Sequence, residues 1–280
     1  VSHAGPLAKT VGTRYDRTIY SAIFESYYDH SDWANFGWWE EETRNQREAC
    51  DNLMERLIGF LPGRCSSLLD VACGKGATTR ALEKRFGPGA VVGVNISARQ
   101  LRTSRRNAPA AAFALMDAAA LAFAPASFEA VVCVEAAFHF STREDFLREA
   151  LRVLRPGGTL VLSDILMNLE AERRRDLRSA SNYVENPEAY GDLLRGAGFT
   201  DVQVIDATEP CWRRYYWHGV RYFHERYLRR EIDLLSLKTF LEAGYRRVYD
   251  IEHYILAAAR RPVSSTARGA SGAPPERAGS

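Results

Sequence analysis

The sequence predicts a doubly wound α/β fold with a helical N-terminal cover and a helical lid insertion, and three observations carry that prediction. From Ser67 onward seven short apolar runs, LLDVAC, AVVGVNI, AAFALM, FEAVVCVE, TLVLSDI, FTDVQVID and YILAAA, alternate with helix-period segments. Strands alternating with helices make a mostly parallel sheet covered on both faces. Helix signals fill the gaps: Ser97 with Gln100 and Ser141 with Glu144 read as capping boxes, and Gly87-Pro88 ends the helix after the first run. Finally, the first run ends in an acid and passes into a small-residue loop, LLDVACGKG over residues 68–76. Such a loop lets backbone come close to a ligand.

Ahead of the sheet, Tyr15, Ile19, Ile23 and Tyr27 recur every four residues and predict a helix. Ala49, Leu53 and Leu57 beside Cys50, Met54 and Ile58 predict a second, stopped by Gly59 and Pro62. Between them the connector YYDHSDWANFGWW, residues 27–39, is too rich in Asp, Asn and Gly for a helix, and its aromatics must cover something. Arg155-Pro156-Gly157-Gly158 predicts a tight turn into the fifth strand. Residues 209–250 form an aromatic and arginine-rich helical insertion before the last strand, and the Gly/Ala/Pro/Ser-rich tail from Val263 predicts disorder. The expected divisions are a cover over 1–62, a core over 63–208, the insertion over 209–250, a final core strand over 251–262 and a tail over 263–280.

Composition narrows the partners. With 46% hydrophobic and 26% charged residues in a chain of 280, a disordered or fibrous protein is excluded. The 37 basic and 35 acidic residues nearly cancel, so no electrostatic footprint for nucleic acid or an anionic membrane is present and the expected partner is a small molecule. Lysine occurs only at Lys9, Lys75, Lys84 and Lys238; the other 33 basic residues are arginine, a skew that reads as coding bias. The five cysteines form no CxxC pair, which argues against a disulfide framework. The six histidines show no HExxH spacing, and His218 and His224, six apart, point to different helix faces, so no metal site is expected. No stretch reaches the roughly 18 apolar residues of a membrane span, and no apolar signal segment opens the chain, so the expectation is a cytoplasmic protein.

Read as a dinucleotide fingerprint, the glycine loop fails. Thr79 stands where the third glycine belongs, and the second strand ends in Asn95 where a nicotinamide dehydrogenase needs an acid. The segments YYD, NFGWW, LLDVACGKG, GVNIS, MDAAALAF, EAAFHF, LRVLRPGGTLVLSDI and YILAAARRP together resemble the class I S-adenosylmethionine (SAM)-dependent methyltransferases over roughly residues 15–262. The nearest likeness is to the macrolide and indolocarbazole sugar O-methyltransferases, with tocopherol methyltransferases more distant.

That resemblance implies a Rossmann-like seven-stranded sheet with an antiparallel last strand, and SAM as cofactor. It assigns cofactor binding to Tyr28, Asp70, Ala72, Gly74, Gly76, Asn95, Ile96, Gln100, Asp117, Ala118 and Glu135. Within this set Asp70, Ala72, Gly74 and Gly76 fall to the methionine end, Asn95 to the ribose hydroxyls and Asp117 with Ala118 to the adenine edge. Ala72 replaces the usual first glycine, and Asn95 the usual acid. Without the family, Gln100 reads as a helix cap and Asp117 as a turn residue.

Open α/β sheets bind ligands at the carboxyl ends of their strands. Glu135 to Phe140 closes the fourth strand there and Asp164 ends the fifth, so His139 with Asp164 is the expected base and orienting carboxylate, unless both merely cap loops. In the indolocarbazole relatives two consecutive histidines occupy this turn; here Phe138 replaces the first. Tyr27, Trp38, Trp39, Phe138, Trp212 and Tyr216 are expected to line an apolar acceptor pocket, although Trp212, Tyr216, Val220, Phe223 and Tyr227 also follow core helix spacing. The expected activity is methyl transfer to a hydroxyl of a bulky, mostly apolar natural product, antibiotics included. The rivals are C-methylation of a prenyl or other electron-rich carbon, and a non-catalytic SAM-fold binding subunit. A homo-oligomer is left open.

Overall fold

The structure, a computed structural model, describes residues 15–174 and 182–263. The disorder expected for the tail therefore lies, beyond Val263, outside the described residues. Seven strands form one sheet: β1 (Leu68–Val71), β2 (Val91–Asn95), β3 (Ala112–Leu115), β4 (Phe128–Val134), β5 (Leu154–Met167), β6 (Thr200–Asp206) and β7 (Ile251–Arg260). Their order is β3-β2-β1-β4-β5-β7-β6, and only β7 runs against its neighbours. All four residues of β1 are buried, as a strand covered on both faces requires. It lies between β2 and β4, with Leu68 beside Val91 and Ala130.

Helices α1 (Ala22–Tyr27), α2 (Gln46–Gly59), α3 (Ala77–Phe86), α4 (Ala98–Asn107), α5 (Arg143–Val153), α6 (Leu169–Arg174) and α7 (Pro187–Gly196) precede β6. A π-helical turn over Thr208–Arg213 then leads into α8 (Arg214–Leu228) and α9 (Leu234–Asp250). One face of the sheet packs Leu53 and Leu57 of α2 and Leu82 of α3 together with Trp212 and Phe223. The other packs Phe146 and Leu147 of α5 with Tyr190 and Leu194 of α7. Each such fully buried side chain contributes roughly 1.5–3 kcal/mol.

Three local expectations are corrected. The helix predicted through Tyr15 to Tyr27 is broken: residues 15–19 make a helical turn, then Ser21 adopts extended backbone and its side chain accepts from Phe24 N–H to start α1. Ile23, a member of the predicted apolar stripe, is left 41% exposed. The cap of α5 sits one residue later than Ser141: Thr142 is the extended residue, and its hydroxyl accepts from Asp145 N–H at 3.1 Å. Ser97 does cap α4, accepting from Gln100 N–H. The Arg155–Gly158 segment lies within β5 rather than before it. Leu154 pairs with Phe128 and pairing resumes at Thr159 with Ala130, so the four residues bulge out, helped by Gly157 at φ +78°.

The aromatics of the connector and the insertion cover each other. Tyr27 packs against Tyr215, His218, Tyr222 and Phe223 of α8, and its hydroxyl bonds His218 Nδ1 at 3.0 Å. Trp39 N–H donates to Pro210 O, and Arg214 donates back to Trp39 O. Burial in this junction pushes the His218 imidazole down to about 4.

A buried ion pair fixes the carboxyl end of β5. Arg143 Nε meets Asp164 Oδ2 at 2.6 Å, with both side chains at most 2% exposed. Asp164 also accepts from Tyr190 OH, Phe138 N–H and Ile165 N–H. Removing one partner of such a pair strands the other charge. Arg143→Met is therefore expected to lower unfolding free energy in urea by about 3–5 kcal/mol; a change under about 1 kcal/mol would mean the pair is dispensable.

Candidate active site

The ligand edge follows from the strand order. β1 sends its chain toward β2, while its other neighbour β4 feeds β5, so the order reverses between β1 and β4 and their carboxyl ends open a crevice. Both strands leave the sheet through a left-handed residue, Ala72 at φ +59° and Glu135 at φ +48°. Each costs about 1–2 kcal/mol relative to an ordinary conformation. Gly74 at φ +56° and Gly76 at φ +88° continue the bend. A Cβ on Gly76 would lie 2.8 Å from Ser104 Cα, so this glycine allows α3 to press against α4.

The crevice is a cavity of about 240 Å³. Its walls are the loop Ala72 to Lys75, the end of β2 with Asn95, Ile96 and Gln100, residues Met116 to Ala118, the end of β4 with Glu135, Ala136 and His139, and an N-terminal wall of Tyr15 and Asp32 to Asn35. Gln46, the first residue of α2, is fully buried and donates to Asn35 O and Phe36 O, which fixes the connector there.

At the β2 end the amides are oriented by a carboxylate from outside the sheet. Asp16 accepts from Gln100 Nε2 at 2.6 Å and from Ser97 Oγ at 2.9 Å. Gln100 Oε1 then accepts from Asn95 Nδ2 at 2.9 Å, and Asn95 Oδ1 accepts from Ser97 N–H at 3.2 Å. Asp117 Oδ1 accepts from Ala119 N–H, turning the chain after β3.

At the β4 end, Glu135 Oε1 accepts two short bonds, from Phe36 N–H and Tyr254 OH, both at 2.6 Å. Burial lifts its carboxyl from the ordinary 4.5 to about 8 against the lowering effect of those donors. It is therefore mostly protonated at neutral pH and joins the connector, β4 and β7 without adding charge to the cavity. His139 stands on a 3-10 turn, Ala137–His139, with the Phe138 ring 3.9 Å and the Tyr15 ring 5.5 Å from its own.

Of the residues expected at the cofactor, Ala72, Gly74, Asn95, Ile96, Gln100, Asp117, Ala118 and Glu135 line this cavity, and so does His139. Three do not. Asp70 is 1% exposed and accepts from Thr79 Oγ1 at 2.6 Å, with burial raising its carboxyl to about 7; it ties β1 to α3. Gly76 faces α4. Tyr28 is buried, stacked on Phe24, and donates to Asn35 O. Asp164 is also displaced from its expected role: it is fully buried, and its oxygens take the four donors named above, enough for a carboxylate. It holds the turn that carries His139 through Phe138 N–H. None of Tyr27, Trp38, Trp39, Phe138, Trp212 and Tyr216 lines the cavity; five of them belong to the core on one face of the sheet, and Trp39 packs on His218 of α8. Tyr15, Asp32, Trp33, Asn35 and Lys75 line it instead. Lys75 was not among the expected site residues; the signal that could have found it is its place inside the glycine loop, between Gly74 and Gly76.

A parallel sheet with this order, an antiparallel seventh strand and a glycine loop at the switch point is the nucleotide-binding class of α/β fold. Residues 69–162 match the family described as "Methyltransferase domain". The chain is 30% identical over 226 residues to 27-O-demethylrifamycin SV methyltransferase of Amycolatopsis mediterranei, covering 75% of this chain and 81% of that one. It is 27% identical over 256 residues to erythromycin 3''-O-methyltransferase of Saccharopolyspora erythraea, covering 81% and 83%. Among solved structures, the [4+2]-cyclase SpnF superposes with a TM-score of 0.71 at 21% identity, covering 93% and 98%, and shares the fold. The chain belongs to the class I SAM-dependent methyltransferases, and its cofactor is SAM. The residues present fit it: left-handed bends lay the glycine loop along the cavity wall, amides stand at the β2 end, and Asn35, 5% exposed in the cavity wall, has an Oδ1 with no hydrogen-bond partner. Among the described residues no helix is long and apolar enough to cross a membrane, and no group of three or more His, Cys, Asp or Glu could hold a metal.

Glu135 sets a pH dependence. Its folded pKa is raised above the ordinary 4.5, so between that value and about 8 the folded chain holds a proton that the unfolded chain releases, and stability falls as pH rises through this window. Glu135→Gln keeps the Oε1 acceptor and cannot ionise. Its melting temperature is expected to fall less than that of the wild type across the window; parallel curves would remove Glu135 as the cause.

Proposed function

We propose that the protein transfers a methyl group from SAM to a hydroxyl of a bulky, mostly apolar small molecule of secondary metabolism, with His139 taking the hydroxyl proton. The observation that carries this reading is the position of His139 in the same cavity wall as Glu135, in a cavity whose other walls are the glycine loop and the Asn95–Gln100 amides. Bound SAM supplies a methyl group already activated on a sulfonium. The backbone at Ala72 and Gly74 would hold its methionine end, Asn95 with Gln100 the ribose hydroxyls, and Asp117 with Ala118 the adenine edge.

The chain's further tasks are to align the acceptor, exclude water and accept one proton. Alignment is worth roughly 7–11 kcal/mol, whereas a general base adds about 10²–10⁴-fold, or roughly 3–5 kcal/mol, so positioning dominates. The Phe138 and Tyr15 rings restrict the His139 imidazole, whose nitrogen would take the proton of the acceptor hydroxyl as its oxygen bonds the methyl carbon, the methyl–sulfur bond breaking and its electron pair staying on sulfur as the neutral thioether. Tyr15, Trp33 and Phe140 give the cavity its aromatic surface for an apolar acceptor. The names of two relatives, one a 27-O-demethyl antibiotic methyltransferase and one a 3''-O-methyltransferase, support an oxygen target.

His139→Ala is expected to lower turnover by about 10²–10⁴-fold and to leave S-adenosylhomocysteine affinity unchanged; undiminished turnover would exclude the histidine from the chemistry. NMR of the product formed from methyl-¹³C SAM is expected to show the label on oxygen. A label on carbon would replace the hydroxyl reading with C-methylation, and no product with any hydroxylated or prenylated acceptor would favour a binding subunit.

A further inference from the structure

The one lysine of the glycine loop is buried. Lys75 is 4% exposed, and an ammonium removed from water is unfavourable unless it is paired and hydrogen-bonded. Its Nζ lies 3.0 Å from Asp32 Oδ1 and donates to Ile19 O at 3.4 Å, which uses two of its three N–H groups. Asp32 Oδ2 accepts from Asn107 Nδ2 at 2.9 Å, and the same amide donates to Lys75 O at 2.7 Å. Loop, connector and α4 thus meet at one ion pair. Asp32 holds left-handed backbone at φ +67°, and its side chain keeps 28% of its surface accessible against 3% for Lys75.

An ion pair alone could close the loop with no ligand in mind. Two further observations point to one. Both members line the cavity, and Lys75 is the only lysine or arginine among the described residues that do. Three residues along from Asp32, the buried Asn35 lines the same cavity with its Oδ1 unpartnered, and an acceptor buried without a donor is costly. A single cation beside a carboxylate and an unsatisfied carbonyl oxygen is complementary to a group that carries a carboxylate and an ammonium together.

We propose that Lys75 and Asp32, joined by Asn35, recognise the zwitterionic amino-acid end of the cofactor, Lys75 taking its carboxylate and Asp32 with Asn35 its ammonium. This rests on the reading of the cavity as the SAM site. The ligand adds to the existing pair without breaking it: the third N–H of Lys75 and the remaining lone pairs of Asp32 are the groups that gain partners. The pair that would recognise the amino acid is thus the same one that holds the connector against the loop.

The test is calorimetry with two ligands, S-adenosylhomocysteine and 5'-methylthioadenosine. They share the nucleoside and thioether sulfur, but the second lacks the amino acid. The wild type is expected to prefer S-adenosylhomocysteine. Asp32→Asn and Lys75→Gln are each expected to weaken it by about 10- to 100-fold, the range for hydrogen bonds to charged groups, while 5'-methylthioadenosine binds as before. A Lys75→Gln chain that fails to fold is recognised by loss of the wild type's cooperative thermal transition, and Asp32→Asn then decides. Equal weakening of both ligands, no weakening of either, or a wild type without preference would each overturn the inference while leaving the cofactor reading intact. A wild type that binds neither ligand would overturn both.

Discussion

The constraint on which the rest depends is the divergence of two neighbouring strands. β1 and β4 pair along their length and then must part, and each does so through a non-glycine residue in left-handed backbone, Ala72 and Glu135. That conformation is unfavourable at both positions and persists because both flanking cores are closely packed. The parting creates the crevice, and the bend brings the loop from Ala72 to Lys75 along its wall. The sheet therefore supplies the site by topology, before any side chain is considered.

Side chains then close the crevice from one direction. The N-terminal segment is drawn over it by three polar ties at separate points: Asp16 to the Ser97–Gln100 cap of α4, Asp32 to Lys75 of the loop, and Phe36 N–H to Glu135. Each tie joins the segment to a different strand end, after β2, β1 and β4 in turn. The third of these uses a carboxyl that burial pushes up to about 8, so this tie adds little charge to the cavity at neutral pH. The aromatic junction between Tyr27 and α8 anchors the other side of the same segment. The rings of the N-terminal segment and of α8 thereby pack on each other, leaving the cavity wall to Tyr15, Trp33 and Phe140.

Much of this was legible in the sequence, and the remainder was hidden for physical reasons. The seven runs marked all seven strands: β1, β4 and β5 because strands buried on both faces need near-continuous apolar sequence, and the largely exposed edge strand β6 through the alternation of Val202 and Val204 with polar neighbours. The residues of the loop, the β2 end and the turn after β4 were readable because they are local: Gly74, Asn95, Asp117 and His139 lie within a few residues of a strand end, which the sheet brings to one edge. Asp70 and Asp164 looked equally local yet point away from the cavity, since adjacent residues of a strand face opposite sides and the sequence does not say which side is open. The connector residues Asp32 and Asn35 were missed because no periodicity describes an irregular segment. The aromatics of 209–250 were misplaced because helical spacing reveals a buried face without revealing its partner.

Everything proposed for the chemistry requires SAM to sit in the crevice between β1 and β4. A crystal structure of the protein with S-adenosylhomocysteine tests that most directly. The amino-acid end is expected against Lys75 and Asp32, the ribose beside Asn95, adenine against Asp117 and Ala118, and the sulfur open toward the side of the cavity that holds His139. Density for the nucleoside outside this crevice, or inside it with the amino-acid end turned away from the glycine loop, would contradict this placement.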